Sequence, residues 1–585
     1  MGRYLLVNRC RGGAEARVLS TRIAEDARGA GYRLLELNAH AWLATTGHHP
    51  PSVRKIGGWT LIGDVFDRRS PDLPATASGD PWDYERKMMA RFWGRYVGVR
   101  FGTDEQLSAA LRDPSGALEC IFWSQDGLTL VCGSADDWLF RALRPDWRLD
   151  VDRLAGALHD PVPATGPLLL DGPTALQPGS VQTLPPTAAP DDLWRPTDFA
   201  RRSLGAPPPV DQAADGLRAA VDEAVAGLGG LPGTIGAEVS GGLDSSIIAS
   251  SLALDGVGRV SLWLNAYGTS IEADERAYAA ALGAKLGFTP TCVPHATAPL
   301  SIDWLEALSP GFRPGLTALD RPHDLDWAQR LGKAGATGLL TGAGGDSALF
   351  QRATVEVFID EWRRRPWRGL WSAEVHELAA ANECSIWTMI AEARRRHGRP
   401  HTPPRRDHPM LARPSSPPAL HPWLENWNDF GPAKAMHLAG IVDNVARHQP
   451  SELTSTIDVR HPLCAQPVIE TCLALPAALL TLGGRERGLA RRAFSDRLPP
   501  EIADRRSKGD MTRTYGRLIL GGLDVLRPWL IEGRLAALGV IDPGAASQAL
   551  TREALLWRGR YSTIMVAAAF ESWVRTWERR LAPGR

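Results

Sequence analysis

The 585-residue sequence predicts two domains: an α+β domain rich in antiparallel strands, then an α/β domain with a parallel sheet and added helices. Three observations support this fold class. The chain is longer than one hydrophobic core usually serves. Its first part carries short apolar stretches separated by glycine and proline, and its second part alternates strand-like and helix-like segments. We expect domains over residues 1–195 and 211–585, joined by a linker over 196–210.

The strand-like segments of the first domain are YLLVN, GWTLIGDVF, RYVGVRFG, LECIFW and LTLVCG. Apolar runs of this length, bounded by turn residues, are typical of antiparallel sheets. From DDLWRP to SLGAPPPVDQ the chain becomes polar and rich in proline, which predicts the linker.

The second domain alternates helices and strands as far as residue 350. A helix over DQAADGLRAAVDEAVAGL comes first, and the predicted strands after it are GTIGAEV, RVSLWLN, TPTCVP and TGLLTG. Helices between them are expected from Ser245, over EADERAYAAALGAKLG and around DLDWAQRLGKAG. This order predicts a parallel sheet with helices on both faces. Beyond residue 350 the pattern is mostly helical, and Arg394 to Pro418 is so rich in proline and arginine that we expect a mobile basic loop.

The composition favours an ordinary globular protein. The 66 basic and 66 acidic residues cancel, so no global charge attracts nucleic acid or membrane. Seven scattered cysteines without CxxC spacing predict neither disulfides nor zinc. No apolar run is long enough to span a bilayer and no signal peptide opens the chain, so we expect a cytoplasmic protein.

The segment SGGLDSS follows a buried-type strand and opens a helix. Open α/β sheets bind ligands at the carboxyl ends of their strands. We expect Gly241 and Gly242 to adopt φ values that let the backbone approach an anion, with serine hydroxyls as further donors. Because Asp244 would repel phosphate on its own, it predicts a bound Mg²⁺. The predicted phosphate-binding residues here are Ser240, Gly241, Gly242, Leu243, Asp244, Ser245 and Ser246.

A second acid, Asp346, lies in the glycine-rich segment LLTGAGGDSALF, just after another predicted strand. Carboxylates at the ends of two parallel strands can hold a metal ion and a triphosphate between them. Asp244 and Asp346 are therefore the predicted metal ligands, and Gly342, Gly344 and Gly345 are predicted to line the nucleotide site.

Five segments, in this order, resemble the synthetase domain of the asparagine synthetase class: SGGLDSS, ADERAYAAALGAKLG, LLTGAGGDSALF, VRHPL and RLPPEIADRRSKG. The segments GRYVGVRFG, LRDPSGALECIFW and LQPGSVQTL resemble the glutaminase-type domain of that class. The resemblance implies a degenerate Ntn-hydrolase-like first domain and a PP-loop ATP pyrophosphatase (HUP-like) second domain. It also implies the chemistry: a carboxylate attacks the α-phosphorus of ATP, pyrophosphate leaves into the Ser240–Ser246 turn with Mg²⁺, and an amine displaces AMP.

Two departures from the class narrow the expected function. Glutamine-dependent members use an N-terminal cysteine, whereas this chain begins Met-Gly-Arg and Cys10 lies too deep, so we expect no glutaminase reaction. The β-lactam synthetases carry a tyrosine in the glycine-rich loop, and Ala343 occupies that place here. An alkylamine with a pKa of about 10 needs a base, whereas a peptide α-amine, with a pKa of about 7.7–8.0, is partly neutral at cellular pH, so the loss of that tyrosine is more tolerable for the α-amine.

The resemblance therefore favours a lasso peptide cyclase, which joins the N-terminal α-amine of a core peptide to an Asp or Glu side chain. The implied partners are that precursor core peptide, a leader peptidase and a RiPP recognition protein. A β-lactam synthetase-like or other small-molecule amide synthetase is the alternative. An inactive ATP-binding scaffold is a further one.

Basic residues complete the candidate site. The lysine of the family segment K..LR corresponds here to Arg487 or Arg491 in RERGLARRAF, and we predict a catalytic role for Arg487. Lys508 in RRSKG matches a later basic motif of the family and is the other predicted catalytic residue, a candidate to contact the phosphates, although a solvated surface lysine explains it equally well. Asp274 and Glu275 in ADERAYA match a family motif, but acids are also favoured in the first turn of a helix.

Three other polar residues have no assigned catalytic role. We expect His461 to be structural, because a lone histidine without partners usually is. Asp443 and Asp458 are candidate bases, and the sequence assigns neither.

Overall fold

The computed structural model describes residues 2–10, 13–68, 79–160, 165–316, 319–364, 373–396, 408–414, 420–505 and 512–582. Within these ranges the first part of the chain forms two six-stranded antiparallel sheets. One has the strand order β12-β8-β9-β1-β3-β2, and the other has the order β14-β13-β7-β6-β5-β4. A short pair, β10 and β11, lies outside them. The strands are β1 (Arg3–Arg9), β2 (Arg33–Glu36), β3 (Ala41–Thr46), β4 (Val53–Ile56), β5 (Trp59–Asp67), β6 (Phe92–Phe101), β7 (Leu107–Arg112), β8 (Ile121–Gln125), β9 (Leu128–Cys132), β10 (Arg148–Leu149), β11 (Leu170–Asp171), β12 (Thr174–Ala175), β13 (Ser180–Thr183) and β14 (Asp191–Asp192).

The two sheets stack face to face because alternate side chains of each strand point to opposite faces. In β1, Tyr4 and Leu6 enter the core between the sheets, where they meet Val97 of β6. Leu5 and Val7 face the other way and pack in the core that holds helix α1. Predicted strands of the first domain are thus present, and its likeness to an Ntn hydrolase stays a prediction.

The second part of the chain forms a five-stranded, fully parallel sheet with the order β17-β16-β15-β18-β19. Its strands are β15 (Thr234–Glu238), β16 (Val260–Tyr267), β17 (Thr291–Pro294), β18 (Ala336–Leu340) and β19 (Asp458–Arg460). The four strands predicted from the sequence are confirmed. β19 was not predicted from the sequence, because a three-residue strand carries too little periodicity to be recognised.

The helices before residue 160 belong to the first part of the chain, and those of the second part cover both faces of the parallel sheet and form the C-terminal end of the structure. They are α1 (Ala14–Gly29), α2 (Asp83–Arg91), α3 (Asp137–Leu143), α4 (Val151–His159), α5 (Pro196–Arg202), α6 (Val210–Gly229), α7 (Leu243–Leu252), α8 (Arg276–Leu286), α9 (Ile302–Glu306), α10 (Arg321–Lys333), α11 (Gly345–Ala348), α12 (Val355–Arg364), α13 (Ala373–Ala381), α14 (Ile386–Arg396), α15 (Pro432–Val445), α16 (Glu452–Thr456), α17 (Gln466–Ala474), α18 (Ala477–Leu480), α19 (Gly488–Ala493), α20 (Pro500–Ala503), α21 (Thr512–Gly521), α22 (Leu523–Ile531), α23 (Arg534–Ala537), α24 (Pro543–Ala549), α25 (Arg552–Arg558) and α26 (Tyr561–Leu581). Among the described residues, none of these helices has the length and apolar character needed to cross a bilayer.

A buried ion network joins the two parts of the chain. Arg95 of β6 donates from Nη1 and Nη2 to the two carboxylate oxygens of Asp458 in β19, both at 3.0 Å. Its Nε donates to Asp64 Oδ2 at 3.0 Å, and Arg460 Nε donates to Asp458 Oδ2 at 2.8 Å. These guanidinium groups hold the pKa of Asp458 well below its usual range. Asp458 is therefore a structural anion, and this pairing argues against the candidate role as a base.

Two segments expected to be loose contain ordered structure. In the predicted linker, α5 packs against α17, next to Trp194, whose Nε1 donates to Glu470 Oε1 at 2.7 Å. In the predicted basic loop, Met410 is buried and Leu411 forms a β-bridge with Ile541. The expectation of a wholly mobile loop is wrong for these residues, because apolar side chains among the prolines find a place in the core. Residues 397–407 and 415–419 of that loop lie outside the described ranges.

Candidate active site

The predicted phosphate-binding turn lies at the carboxyl end of the central strand β15 and leads directly into α7. β15 is flanked by β16 and β18. The loop that carries Asp346 leaves β18 at the same edge of the sheet and enters the short helix α11. Parallel strands bring these two loops together, as the sequence predicted.

Gly241 has a φ of +85°, a value that disfavours any side chain. A Cβ there would also lie 2.9 Å from the carbonyl oxygen of Glu275. Gly242 has a φ of −79°, so the expectation of an unusual backbone is wrong for this residue. Its role is that of the residue before α7, whose carbonyl oxygen accepts a hydrogen bond from Ser246 Oγ at 2.7 Å.

The three serines of the turn bind mostly to the turn itself. Ser245 Oγ accepts from the backbone N–H of Ser240 at 3.1 Å and lies 2.9 Å from Ser240 Oγ. Ser240 and Ser245 line the cavity described below, whereas Ser246 is fully buried. Leu243 also lines the cavity. The hydroxyl of Ser246 therefore fixes the shape of the turn in this structure.

The glycines of the second loop allow it to pack against the first. A Cβ on Gly342 would lie 2.4 Å from the backbone nitrogen of Ser245, and one on Gly345 would lie 2.4 Å from Cγ of Asp244. Gly344 has a φ of +89°, and a Cβ there would lie 2.3 Å from Sγ of Cys464. Only Gly342 of the three lines the cavity, so Gly344 and Gly345 act through backbone packing.

Arg487 brings the two predicted metal ligands together. Its Nη1 donates to Asp244 Oδ2 at 2.9 Å and to Asp346 Oδ1 at 2.7 Å. Its side chain is 6% exposed, against 14% for Asp244 and 39% for Asp346. Arg487 has a φ of +54°, and its backbone N–H donates to the carbonyl oxygen of Phe350 at 3.1 Å. The backbone thus fixes a guanidinium group at a place where two carboxylates converge.

These groups surround a cavity of about 220 Å³, which we call the nucleotide cavity. Its lining includes Asp244, Asp346, Ala343 and Arg487, together with two further arginines from the α19–α20 region. Arg491 donates to the carbonyl oxygens of Ile502 and Ala503 at 3.0 and 2.8 Å. Burial, and the nearby Arg485 and Arg487, lower the pKa of Arg491 to about 10.

Arg505 and Glu238 complete the lining, and the sequence analysis missed both. Arg505 pairs with Glu275, donates to the carbonyl oxygen of Gly241 at 3.2 Å and stacks on Tyr278 at 4.0 Å. Glu238 is the last residue of β15, and burial, together with Glu275 and Asp244, raises its pKa to about 7. The sequence does contain a signal for Glu238, because an acid at the end of an otherwise apolar strand is unusual.

The remaining candidates occupy different settings. Glu275 belongs to the cavity, while its neighbour Asp274 pairs with Arg276 at the surface. His461 Nε2 donates to the carbonyl oxygen of Arg447 at 3.2 Å, and its Nδ1 lies 2.7 Å from Thr341 Oγ1, which fits a structural role. Asp443 lies 3.7 Å from Arg447 on the exposed part of α15. Lys508 lies outside the described residues.

The acids of the cavity fit a hard divalent cation. Asp244 and Asp346 present carboxylate oxygens, the donors that Mg²⁺ prefers, and Arg487 shows that a positive charge is stable between them. Among the described residues, no group of three or more His, Cys, Asp or Glu side chains has the geometry to hold a metal. A metal here would therefore take only part of its coordination from the protein, as Mg²⁺ does when it is shared with phosphates.

Comparison with known proteins agrees with this geometry. No curated protein matches the chain. The protein family described as asparagine synthase matches residues 216–575, which include both strand-end loops, Arg487 and Arg505. This match covers more than half of the sequence and supports an ATP-dependent, amide-forming ligase. The chain belongs to the asparagine synthase family.

Proposed function

We propose that this protein is an AMP-forming ligase that closes a macrolactam in a peptide, as a lasso peptide cyclase does. The observation that carries the proposal is the convergence of Asp244, Asp346 and Arg487 beside two glycine-rich strand-end loops. Such an arrangement suits the departure of pyrophosphate, because it offers charge stabilisation where negative charge develops on the leaving group.

In the first step, a carboxylate oxygen of the substrate attacks the α-phosphorus of ATP, and the bond to the β-phosphate oxygen breaks. The N-terminus of α7, which begins within the Ser240–Ser246 turn, stabilises the departing pyrophosphate. Arg487 and Arg505, which both line the cavity, contribute positive charge. Since arginine stays protonated, it stabilises negative charge and does not donate a proton.

In the second step, an amine attacks the acyl carbon, AMP leaves and the nitrogen loses a proton. Ala343 lines the cavity where a tyrosine would be needed to activate an alkylamine. A peptide α-amine is partly neutral near pH 7.7–8.0, so it needs less help from the protein. This supports a peptide N-terminus as the nucleophile.

Mg²⁺ would be held by Asp244 and Asp346, and when bound it would neutralise charge on the leaving pyrophosphate. Arg487 would then share the negative charge of these acids with the metal. The protein's own contribution is to hold the two carboxylates at fixed positions through the packing of the two glycine-rich loops.

The local structure also supports an amine source other than glutamine. A Cβ at position 2 would lie 2.4 Å from the carbonyl oxygen of His49 and 2.5 Å from Cδ of Pro51. The backbone would have to shift before a cysteine side chain could occupy this position.

The deciding experiment incubates the protein with ATP, Mg²⁺ and a pool of leaderless peptides that each carry a free α-amine and one Asp or Glu. We expect AMP and pyrophosphate, with a peptide product lighter by one water. The same assay with N-acetylated peptides should form the adenylate, detected as pyrophosphate exchange, without ring closure. Release of ADP, or ring closure in a carboxyethyl amino acid and in no peptide, would overturn the proposal.

A further inference from the structure

A second, larger cavity of about 520 Å³ lies between the two parts of the chain, and we call it the junction cavity. One side is formed by the loops after β7 and β9 and by the start of α3. The other side is formed by residues 310–313, by the segment from the end of α15 into α16, and by the end of β19. Its volume lies within the range of about 300–1,000 Å³ that is typical of ligand sites.

The nucleotide cavity is too small to hold both ATP and a whole peptide substrate. At about 220 Å³ it falls below that range, and its lining is dominated by the groups expected to contact phosphates. A peptide that presents a carboxylate to this cavity must therefore rest most of its length elsewhere. This step depends on the proposed function, since it assumes a peptide substrate.

The two cavities share a wall. His461 lines the junction cavity, and its Nδ1 lies 2.7 Å from Thr341 Oγ1. Thr341 Oγ1 accepts from the backbone N–H of Ala343 at 3.2 Å, and Ala343 lines the nucleotide cavity. A ligand in the junction cavity would thus lie behind the loop that carries Asp346.

The charges of the junction cavity favour an anionic ligand group. Its acids already have cationic partners: Asp136 pairs with Arg3 at 2.6 Å, Asp137 with Arg580 at 2.7 Å, and Glu119 with Arg313 at 2.6 Å. Each of these ion pairs removes an acid that could otherwise bind an ammonium group.

Two arginines that line the junction cavity can bind a carboxylate of the ligand. Arg141 is exposed on α3 and forms no ion pair within the described ranges. Arg447 has a carboxylate neighbour only at 3.7 Å, Asp443, among the described residues, and 39% of its side chain is exposed. Guanidinium groups of this kind bind carboxylates through paired N–H donors.

We propose that the junction cavity binds a carboxylate-bearing segment of the peptide substrate, with Arg141 and Arg447 as the recognising residues. Trp138 and Phe312, which also line it, offer apolar surface for a neighbouring side chain. The cavity would hold this segment against the Thr341–Ala343 wall, on the other side of which lies the nucleotide cavity.

The test measures binding without catalysis. N-acetylated tetrapeptides with one aromatic residue cannot close a ring through their amine, so their affinity can be measured by titration calorimetry. One series carries a free C-terminal carboxylate, a second carries a C-terminal amide, and a third carries an amide with an internal Asp. We expect the amide without Asp to bind at least 10-fold more weakly than the other two, and the better of those two identifies the source of the carboxylate.

Variants locate the binding. Arg141→Gln and Arg447→Gln should each lower the affinity for the carboxylate peptides about 5- to 10-fold. Ser455→Trp places a large side chain at the cavity lining and should abolish peptide binding. Arg17→Gln, an exposed arginine on α1 outside the cavity, is the matched control and should change nothing. Thermal unfolding of each variant shows that it is folded.

Other results would overturn the inference. The carboxylate and amide peptides could bind with equal affinity, or Ser455→Trp could bind peptides as tightly as the wild type does. Free L-glutamine could also bind more tightly than the peptides, with its binding abolished by the same variants. The assay separates the two proposals. If pyrophosphate exchange occurs but the cavity variants leave peptide affinity unchanged, only this inference fails; if the peptides bind here but no AMP forms, only the proposed function fails.

Discussion

The Nη1 atom of Arg487 lies 2.7 Å from Oδ1 of Asp346, and the same atom also reaches Asp244 at 2.9 Å. A single buried guanidinium nitrogen therefore joins two loops that are 102 residues apart in the chain, from position 244 to position 346. Without a cation between them, two close carboxylates would repel each other and one would bind a proton. This relationship makes the site testable residue by residue.

The acids should be essential for adenylate formation. We expect Asp346→Asn to lower the rate of ATP–pyrophosphate exchange by at least about 100-fold, because it removes charge that the metal and the triphosphate require. Asp244→Asn should have the same effect. Asp443→Asn, an acid on the exposed part of α15, is the control and should stay within about 3-fold of the wild type, a change of less than ~1 kcal/mol. Exchange that persists in both site variants would remove these acids from the reaction.

Arg487 should compete with a free metal ion for the two acids. In Arg487→Gln, the carboxylates lose their resident cation, so we expect Mn²⁺ to bind at least about 10-fold more tightly in the absence of nucleotide, a change of ~1.4 kcal/mol. Electron paramagnetic resonance of free Mn²⁺ measures this directly.

The control for Arg487 is Arg491→Gln, since Arg491 lines the same cavity but donates to carbonyl oxygens and not to the acids. Its Mn²⁺ affinity should remain that of the wild type. Weaker Mn²⁺ binding in Arg487→Gln would show that the arginine helps to hold the metal.

Glu238 should make stability fall as the pH rises from about 4.5 to about 7. Its pKa in the folded protein is raised to about 7 from an ordinary value near 4.5, so in this window the folded state binds more protons than the unfolded state. Raising the pH through the window then costs up to about 3 kcal/mol, and the loss is complete above pH 7.

The measurement for Glu238 is the midpoint of thermal unfolding at several pH values. Glu238→Gln should be relatively more stable than the wild type at pH 8 and close to it at pH 4.5. Glu36→Gln, an exposed glutamate on β2, should follow the wild-type profile. Parallel profiles for the wild type and Glu238→Gln would show that this carboxyl group titrates normally.

The ion pairs of Arg95 should make a large contribution to the free energy of unfolding, because they join the two parts of the chain. Arg95→Met leaves Asp64 and Asp458 buried with fewer partners, so we expect unfolding to be easier by about 3–5 kcal/mol. Arg91→Met breaks an exposed pair with Asp67 and should change the free energy of unfolding far less than Arg95→Met does. Urea unfolding monitored by circular dichroism compares the free energies of unfolding of the two variants.

The contribution of Arg95 also has a predicted pH dependence. Because the pKa of Asp458 is lowered in the folded protein, the stabilisation is present above about pH 4, the ordinary range of an aspartate, and is lost as the pH falls below it. The difference between the wild type and Arg95→Met should therefore shrink in acid. An unchanged difference at pH 3 would contradict this assignment.

The sequence by itself determined the parallel sheet and its two functional loops. The strands β15 and β18 are short apolar runs, and each is followed by glycines and an aspartate, so the local pattern contains both the fold and the chemistry. Gly241 was recognisable for the same reason, because a positive φ is a local requirement.

Only the tertiary structure decided which distant groups meet. Arg505 pairs with Glu275, which lies 230 positions away in the sequence. Arg487 contacts two acids that lie 141 and 243 positions away, and Arg95 reaches Asp458 across 363 positions. No local periodicity records such pairs, since they depend on how the helices and sheets pack. The short strand β19, the raised pKa of Glu238 and the junction cavity have the same origin: burial and charge are properties of the folded chain.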